Sequence, residues 1–199
     1  MSITERKLRH KAEVRASIIS AAGKTVEEEG WQALSIRKIA ETIEYSVPVI
    51  YDHFENKEAI LEELARSGFQ LLNTQLGKAK AKYVDPELQI DAIAKAYWKF
   101  ASDRKEYYQL MYGLEVPAFG ANNQTVELTF FKEIILDTIN EIIARSDKKD
   151  TDPVMKFHSF WSVLHGLVVI NRFIKGNKKN MSETLLEDCI TTFISGIKK

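Results

Sequence analysis

A chain of 199 residues, 45% of them apolar, is long enough to bury a real core, which excludes a disordered chain. One cysteine, Cys189, and four scattered histidines, His10, His53, His158 and His165, exclude an internal disulfide and offer no zinc-type cluster. The formal net charge is zero, yet the first 24 residues carry six bases against two acids, a start that marks either an arm meeting an anion or a solvated helix end. The opening MSITERKLRHKAEVR is charged where an export signal needs an apolar core, and no apolar run reaches membrane-spanning length. The expected location is cytoplasmic, with no membrane partner, no metal and no cofactor.

In chain order, Val14, Ile18, Ile19, Ala22 and Val26 follow a helical period that Gly30 stops. Ser35 caps a second helix, with Leu34 before it spaced to staple onto Ile39. Ser46 repeats the device, with Tyr45 and Ile50 at the same spacing and Pro48 in the first turn. Asn56 opens a long fourth helix through Ile60, Leu64, Phe69, Leu72 and Leu76. Asp85-Pro86 opens a fifth and a short sixth follows around Tyr107–Tyr112, after which GLEVPAFGANNQ (113–124) reads as a loop. A seventh helix is expected over about Thr125–Ala144, an eighth after Asp152-Pro153 and a ninth capped near Ser182. Period-2 alternation is absent, so the expected fold is all-α, with about nine helices. The expected domains are 1–57, an N-terminal helix-turn-helix bundle, and 58–199, a larger helical part reached through helix four.

Two short capped helices joined by a tight turn suit a reader of DNA, in which the first braces the backbone and the second enters the major groove. Ile36, Ile39, Ala40, Ile43, Ile50 and Phe54 would give the pair a small core. The stretch LSIRKIAETIEYSVPVIYDHFENKEAIL, after a helix ending EEEGWQA, resembles the helix-turn-helix of tetracycline-repressor-type (TetR) regulators over roughly residues 10–62. The S-x-x-x-I-Y-x-H-F-x-x-K spacing carries the resemblance. FWSVLHGLVVI (160–170) resembles the W-x-x-x-H-G signature of one C-terminal subclass of that family.

The resemblance implies a ligand-responsive, sequence-specific transcriptional regulator, a repressor in the usual case, that binds a palindromic operator in double-stranded DNA as a homodimer. It implies phosphate contacts from Ser35, Tyr51 and Lys57 and bases faced by Val47, Pro48 and Val49, with Arg37, Lys38, Ser46 and His53 beside them. Val47, Pro48 and Val49 carry no hydrogen-bonding side chain, so base reading there would rest on thymine methyls, with Arg37, Lys38 and the basic arm adding the rest. Glu44 stands where the family often has glycine, so the turn is either built differently or holds a side chain in a poor conformation.

Helix eight is apolar on more than one face. Either it is the buried centre of a monomer, or it joins helix nine in a dimer interface through Phe160, Leu164, Leu167, Leu186, Ile190, Phe193 and Ile194. Aromatic and methionine side chains gather in helices five to eight: Tyr97, Phe100, Tyr108, Met111, Tyr112, Phe130, Phe131 and Trp161, with His165 as a polar group. By pattern alone they read as core; by the resemblance they line a pocket for a small apolar or aromatic effector. A helical enzyme is the first rival, but no phosphate loop, zinc-protease, serine-elbow or di-carboxylate motif is present, so no catalytic residue is assigned. A protein-binding adaptor is the second, and it leaves the basic arm and Tyr51 without a role.

Overall fold

The computed structural model describes residues 2–112, 125–173 and 179–198, and among them it is all α-helix apart from turns and one short 3-10 segment, with no strand. The helices are α1 (Ile3–Glu29), α2 (Ile36–Thr42), α3 (Val47–Tyr51), α4 (Lys57–Lys80), α5 (Pro86–Asp103), α6 (Lys105–Tyr112), α7 (Val126–Arg145), α8 (Pro153–Phe173) and α9 (Lys179–Lys198), with the 3-10 turn at Trp31–Ala33. The loop expected over 113–124, with Phe119, lies outside the described residues.

Two compact units emerge, Met1–Gly68 with Arg104–Asn123, and Phe69–Asp103 with Gln124–Lys199. The first extends past residue 57, where the sequence reading divides the chain, and takes in α6. Local packing explains why. A Cβ at Gly23 of α1 would lie 2.9 Å from the Tyr107 hydroxyl, and one at Gly68 of α4 would lie 2.8 Å from the Met111 sulfur. Glycine is what lets α6 come this close to both helices. The core of this unit is the apolar stripe of α1 (Val14, Ile18, Ala22, Val26) with Leu34, Ile39, Ile50, Phe54, Ile60 and Leu64.

α1 begins well before its apolar stripe. A capping box starts it, the Ser2 hydroxyl accepting from the Glu5 N–H and the Glu5 carboxylate from the Ser2 N–H. Gly30 stops it at φ 86°, in the positive-φ region that disfavours a side chain.

In the second unit α5, α7, α8 and α9 pack on one another around Tyr97, Phe100, Phe131, Ile135, Ile139, Phe157 and Phe160. Rings meet edge-on there, with the Phe131 centroid 6.2 Å from that of Phe157 and 6.3 Å from that of Trp161. α9 starts at Lys179 rather than near Ser182, because Ser182 is buried and donates to the Asn171 side-chain oxygen (2.6 Å) instead of capping the helix. α8 is long and apolar enough by composition to cross a membrane, although charged and polar residues interrupt it; it packs against α5, α7 and α9.

Phe160, Leu164, Leu186 and Ile190, expected in a dimer interface, are buried in the chain itself, since they sit on the faces that α8 and α9 turn toward the other helices. Leu167, Phe193 and Ile194 are half-buried. Among the described residues, the large apolar side chains left in solvent on these helices are Val154, Met155, Val163, Ile170, Met181 and Leu185.

Candidate nucleic-acid interface

α2 and α3 are seven and five residues long. Helices this short do not hold themselves in water, so caps and a shared core must fix them. Ser35 is extended (φ −141°, ψ 149°) and its hydroxyl accepts from the Lys38 N–H at 3.2 Å. Leu34 and Ile39 are both buried, in keeping with the first staple. Tyr45 is largely exposed, so the second staple is not closed over the buried Ile50.

The turn between the two helices answers the question that Glu44 raises. Glu44 has φ 59°, the only positive φ at a non-glycine among the described residues. Its N–H reaches the Glu41 carbonyl (3.3 Å), and the Tyr45 N–H reaches back to the Ala40 carbonyl (3.0 Å). This left-handed closure, one residue after the Ile43 cap, is the kind glycine usually makes. The turn therefore has the ordinary geometry and carries the strain of a Cβ within it.

Ser46 occupies the N-cap of α3 in an extended conformation, but its side chain makes no cap bond. The reason is in the next residues: Pro48 has no N–H to give, and the Val49 N–H goes to the Ser46 carbonyl (3.0 Å). The hydroxyl is thus left pointing to solvent at the first turn of the recognition helix. Pro48 is exposed and Val47 and Val49 half-exposed, while Ile50 alone turns inward. Tyr51 is 53% exposed.

Arg37 projects from α2 with its side chain 84% exposed and pairs with Glu41 at 2.8 Å, which raises its pKa through the hydrogen bond and the charge. Lys38, expected to help read DNA, is held by the Glu29 carboxylate of α1 and arrives with its charge already paired. Asn56 caps α4 through the Ala59 N–H (2.8 Å), which leaves Lys57 at the first position of that helix, half-buried with its ammonium 6.0 Å from the Trp31 ring centroid.

Arg15 of α1 is the fastening that sequence reading misses. Its guanidinium donates to the His53 carbonyl (3.2 Å) and to the Glu63 carboxylate (3.0 Å) and lies 4.1 Å from the Phe54 ring centroid. It thereby ties the end of α3 to both α1 and α4. Its partners are 38 and 48 residues away, so no local pattern announces it. His53 has its pKa lowered, first by burial and then by the nearby positive charge of Lys11, with Asp52 pulling the other way and Arg15 and His10 adding smaller downward contributions.

The residues expected to line an effector pocket fall in both units. Tyr97, Phe100 and Phe131 are buried in the second, where Trp161 lies one turn before His165 on α8, the ring centroids 6.1 Å apart. The His165 pKa is lowered by burial. Phe130, one position from Phe131 and so about 100° around the helix, is 55% exposed and does not join that cluster. Tyr108 and Met111 are buried in the first unit, with the Tyr112 ring 4.7 Å from that of Tyr108.

A stapled pair of short helices that turns an unengaged hydroxyl, an aliphatic turn and a tyrosine outward is a helix-turn-helix, and it defines a DNA-binding regulator. Comparison with known proteins then places the chain within that class. Residues 18–64 match the model of bacterial regulatory proteins of the tetR family, and residues 90–193 match the tetracyclin repressor-like C-terminal domain, so the chain belongs to the TetR family of transcriptional regulators. It is 24% identical over 183 residues to an uncharacterized HTH-type transcriptional regulator, YobS, of Bacillus subtilis (strain 168), covering 90% of each chain. A solved structure of a protein of unknown function from Rhodococcus sp. RHA1 shares the fold with a TM-score of 0.77 at 23% identity, over 93% of this chain and 95% of that one. The fold is shared also with AibR, solved in complex with isovaleryl coenzyme A and operator DNA, with a TM-score of 0.62 at 15% identity over 89% of this chain and 96% of that one.

Proposed function

We propose that this TetR-family regulator represses transcription in the cytoplasm by holding a palindromic operator as a homodimer, and releases it when a small apolar or aromatic molecule binds the C-terminal part. It has no catalytic role. The observation that carries the DNA half is the first turn of α3, with Ser46 Oγ free and Val47, Pro48 and Val49 presented beside Tyr51. Ser35, Tyr51 and Lys57 contact phosphate, Ser46 and His53 flank them, and Arg37 adds an exposed cation, paired with Glu41, at the groove edge. Lys38 contributes once DNA draws it from Glu29.

The solvent-facing apolar row of α8 and α9, with Met155, Val163, Ile170, Met181 and Leu185, supports the homodimer, since an unpartnered row of this kind on two adjacent helices is what a two-fold bundle covers. Within the second unit Trp161, His165, Phe131, Tyr97 and Phe100 supply the aromatic wall for the effector, Trp161 and His165 in the W-x-x-x-H-G pattern. AibR, of the same fold, is described with both an acyl coenzyme A and operator DNA, which favours a regulator answering to a small molecule. An effector acts only if it binds the DNA-holding and DNA-free states unequally.

The test is selection of bound duplexes from a randomised pool by purified protein at about 150 mM salt, where screening suppresses purely electrostatic binding. Enrichment of a palindrome with half-sites about 34 Å apart is expected. An unenriched pool would overturn the reading and favour a protein-binding adaptor.

A further inference from the structure

One helical stripe of α1 changes chemistry along its length. Val14, Ile18, Ala21 and Thr25 recur at alternating spacings of four and three, and all are buried. Continued toward the N-terminus, the same spacing falls on Lys11 and Lys7, which at about 100° per residue stay within about 20° of the line through Ile18. Every residue from Ser2 to Glu13 is exposed. The stripe that faces the core therefore leaves the body of the unit and becomes basic where it does so. Glu5, Arg9 and Glu13 lie on the opposite face, where Arg9 pairs with Glu13 at 3.3 Å and Glu5 closes the capping box. Among the described residues no carboxylate pairs with Lys7 or Lys11.

The direction of this arm is fixed by Arg15, one turn after Lys11, which grips the His53 carbonyl and the Phe54 ring. The charge of Lys11 is felt at His53, two residues past Tyr51. Lys11 thus lies beside the C-terminal end of the recognition helix, and Lys7 lies about 6 Å further out along the same helix face. The capping box holds these first turns helical, so the two ammonium groups are presented in order.

From this we infer that the N-terminal turns of α1 are a second DNA-binding element, laying Lys7 and Lys11 on the phosphate backbone that flanks the groove entered by α3. The inference rests on the DNA-reading function proposed above. The contacts are to phosphate, so they add affinity without sequence information.

The experiment compares full-length wild type with the Lys7→Gln/Lys11→Gln double variant and with Arg9→Gln, on the selected operator and on a scrambled duplex, across about 50–200 mM salt. Glutamine keeps helix propensity close to that of lysine, and circular dichroism checks that the helix content is kept. Each phosphate neutralised contributes about 0.9 to the slope of log affinity against log salt, so the double variant should flatten the slope by about 1.8 per protomer. It should weaken both duplexes by the same factor and leave the selected sequence unchanged, while Arg9→Gln should alter the slope far less. An unchanged slope in the double variant, or an equal loss in Arg9→Gln, overturns the arm and leaves the operator reading standing. Failure of the wild type to enrich any operator brings down both.

Discussion

Replacing Glu44 with glycine should stabilise the protein. At φ 59° the Cβ of Glu44 sits in the left-handed region, which costs an L-residue roughly 1–2 kcal/mol. Glycine removes that cost but gives the unfolded chain more freedom, a loss of roughly 0.5–1 kcal/mol. The balance is a gain of about 0.5–1 kcal/mol, or about 1–4 °C in melting temperature for a chain of this length. Urea titration at fixed protein concentration measures it, with Glu44→Gln as the control that removes the charge and keeps the Cβ. Glutamine should leave the urea midpoint where it is and only tighten DNA binding at low salt, because one negative charge leaves the turn that the proposed docking sets near phosphate. Glycine should raise the midpoint and tighten that binding as well. Equal stability in the two variants, or a fall with glycine, would refute the account of the turn as strained.

The two serines should separate cleanly: Ser35→Ala loses a cap and about 1 kcal/mol of stability, whereas Ser46→Ala, with no cap bond to lose, should leave the melting curve alone and weaken operator binding. Tyr51→Phe should keep the fold and reduce operator affinity by about 1.5–3 kcal/mol if the hydroxyl bonds phosphate, which a binding titration reads directly. Gly68→Ala should cost about 1–3 kcal/mol in a denaturation curve, because the new Cβ meets the buried Met111 side chain at 2.8 Å. His165 binds its proton less tightly folded than unfolded, so stability is full above about pH 6.5 and falls as pH drops through that value. Urea midpoints from about pH 7.5 down to about pH 5.5 should show this, and His165→Gln should make the profile shallower, leaving the part that His53 contributes in the same direction.

The local signals in the sequence were legible because caps and staples act within a few residues. Ser35, Asn56, Gly30 and the start of α7 at Thr125 can be read in this way. The rest depends on distant partners. α1 lost its apolar period before Val14 because its stripe turns basic there, so a helix beginning at Ile3 reads only as a charged start. Ser182 looks like a cap and is a buried donor to Asn171. Lys38 looks like a DNA contact and is held by Glu29, while Phe160 and Leu186 have the right spacing for a partner surface and face their own core. Periodicity tells which residues are apolar on a face; it does not say which neighbour covers that face.

Arg15 has a consequence for how the protein meets DNA. α3 has five residues, and a helix of that length would melt if it were free. With the His53 carbonyl, two residues past its end, held by a guanidinium that is also bound to Glu63 and lies over the Phe54 ring, the reader should exist in its final shape before any duplex arrives. Association then involves little folding of the protein, and the change in heat capacity should be that of two preformed surfaces meeting rather than of a segment condensing on its target. A reader so held should gain little by reshaping itself on a mismatched site, so its discrimination should come from misfit rather than from accommodation.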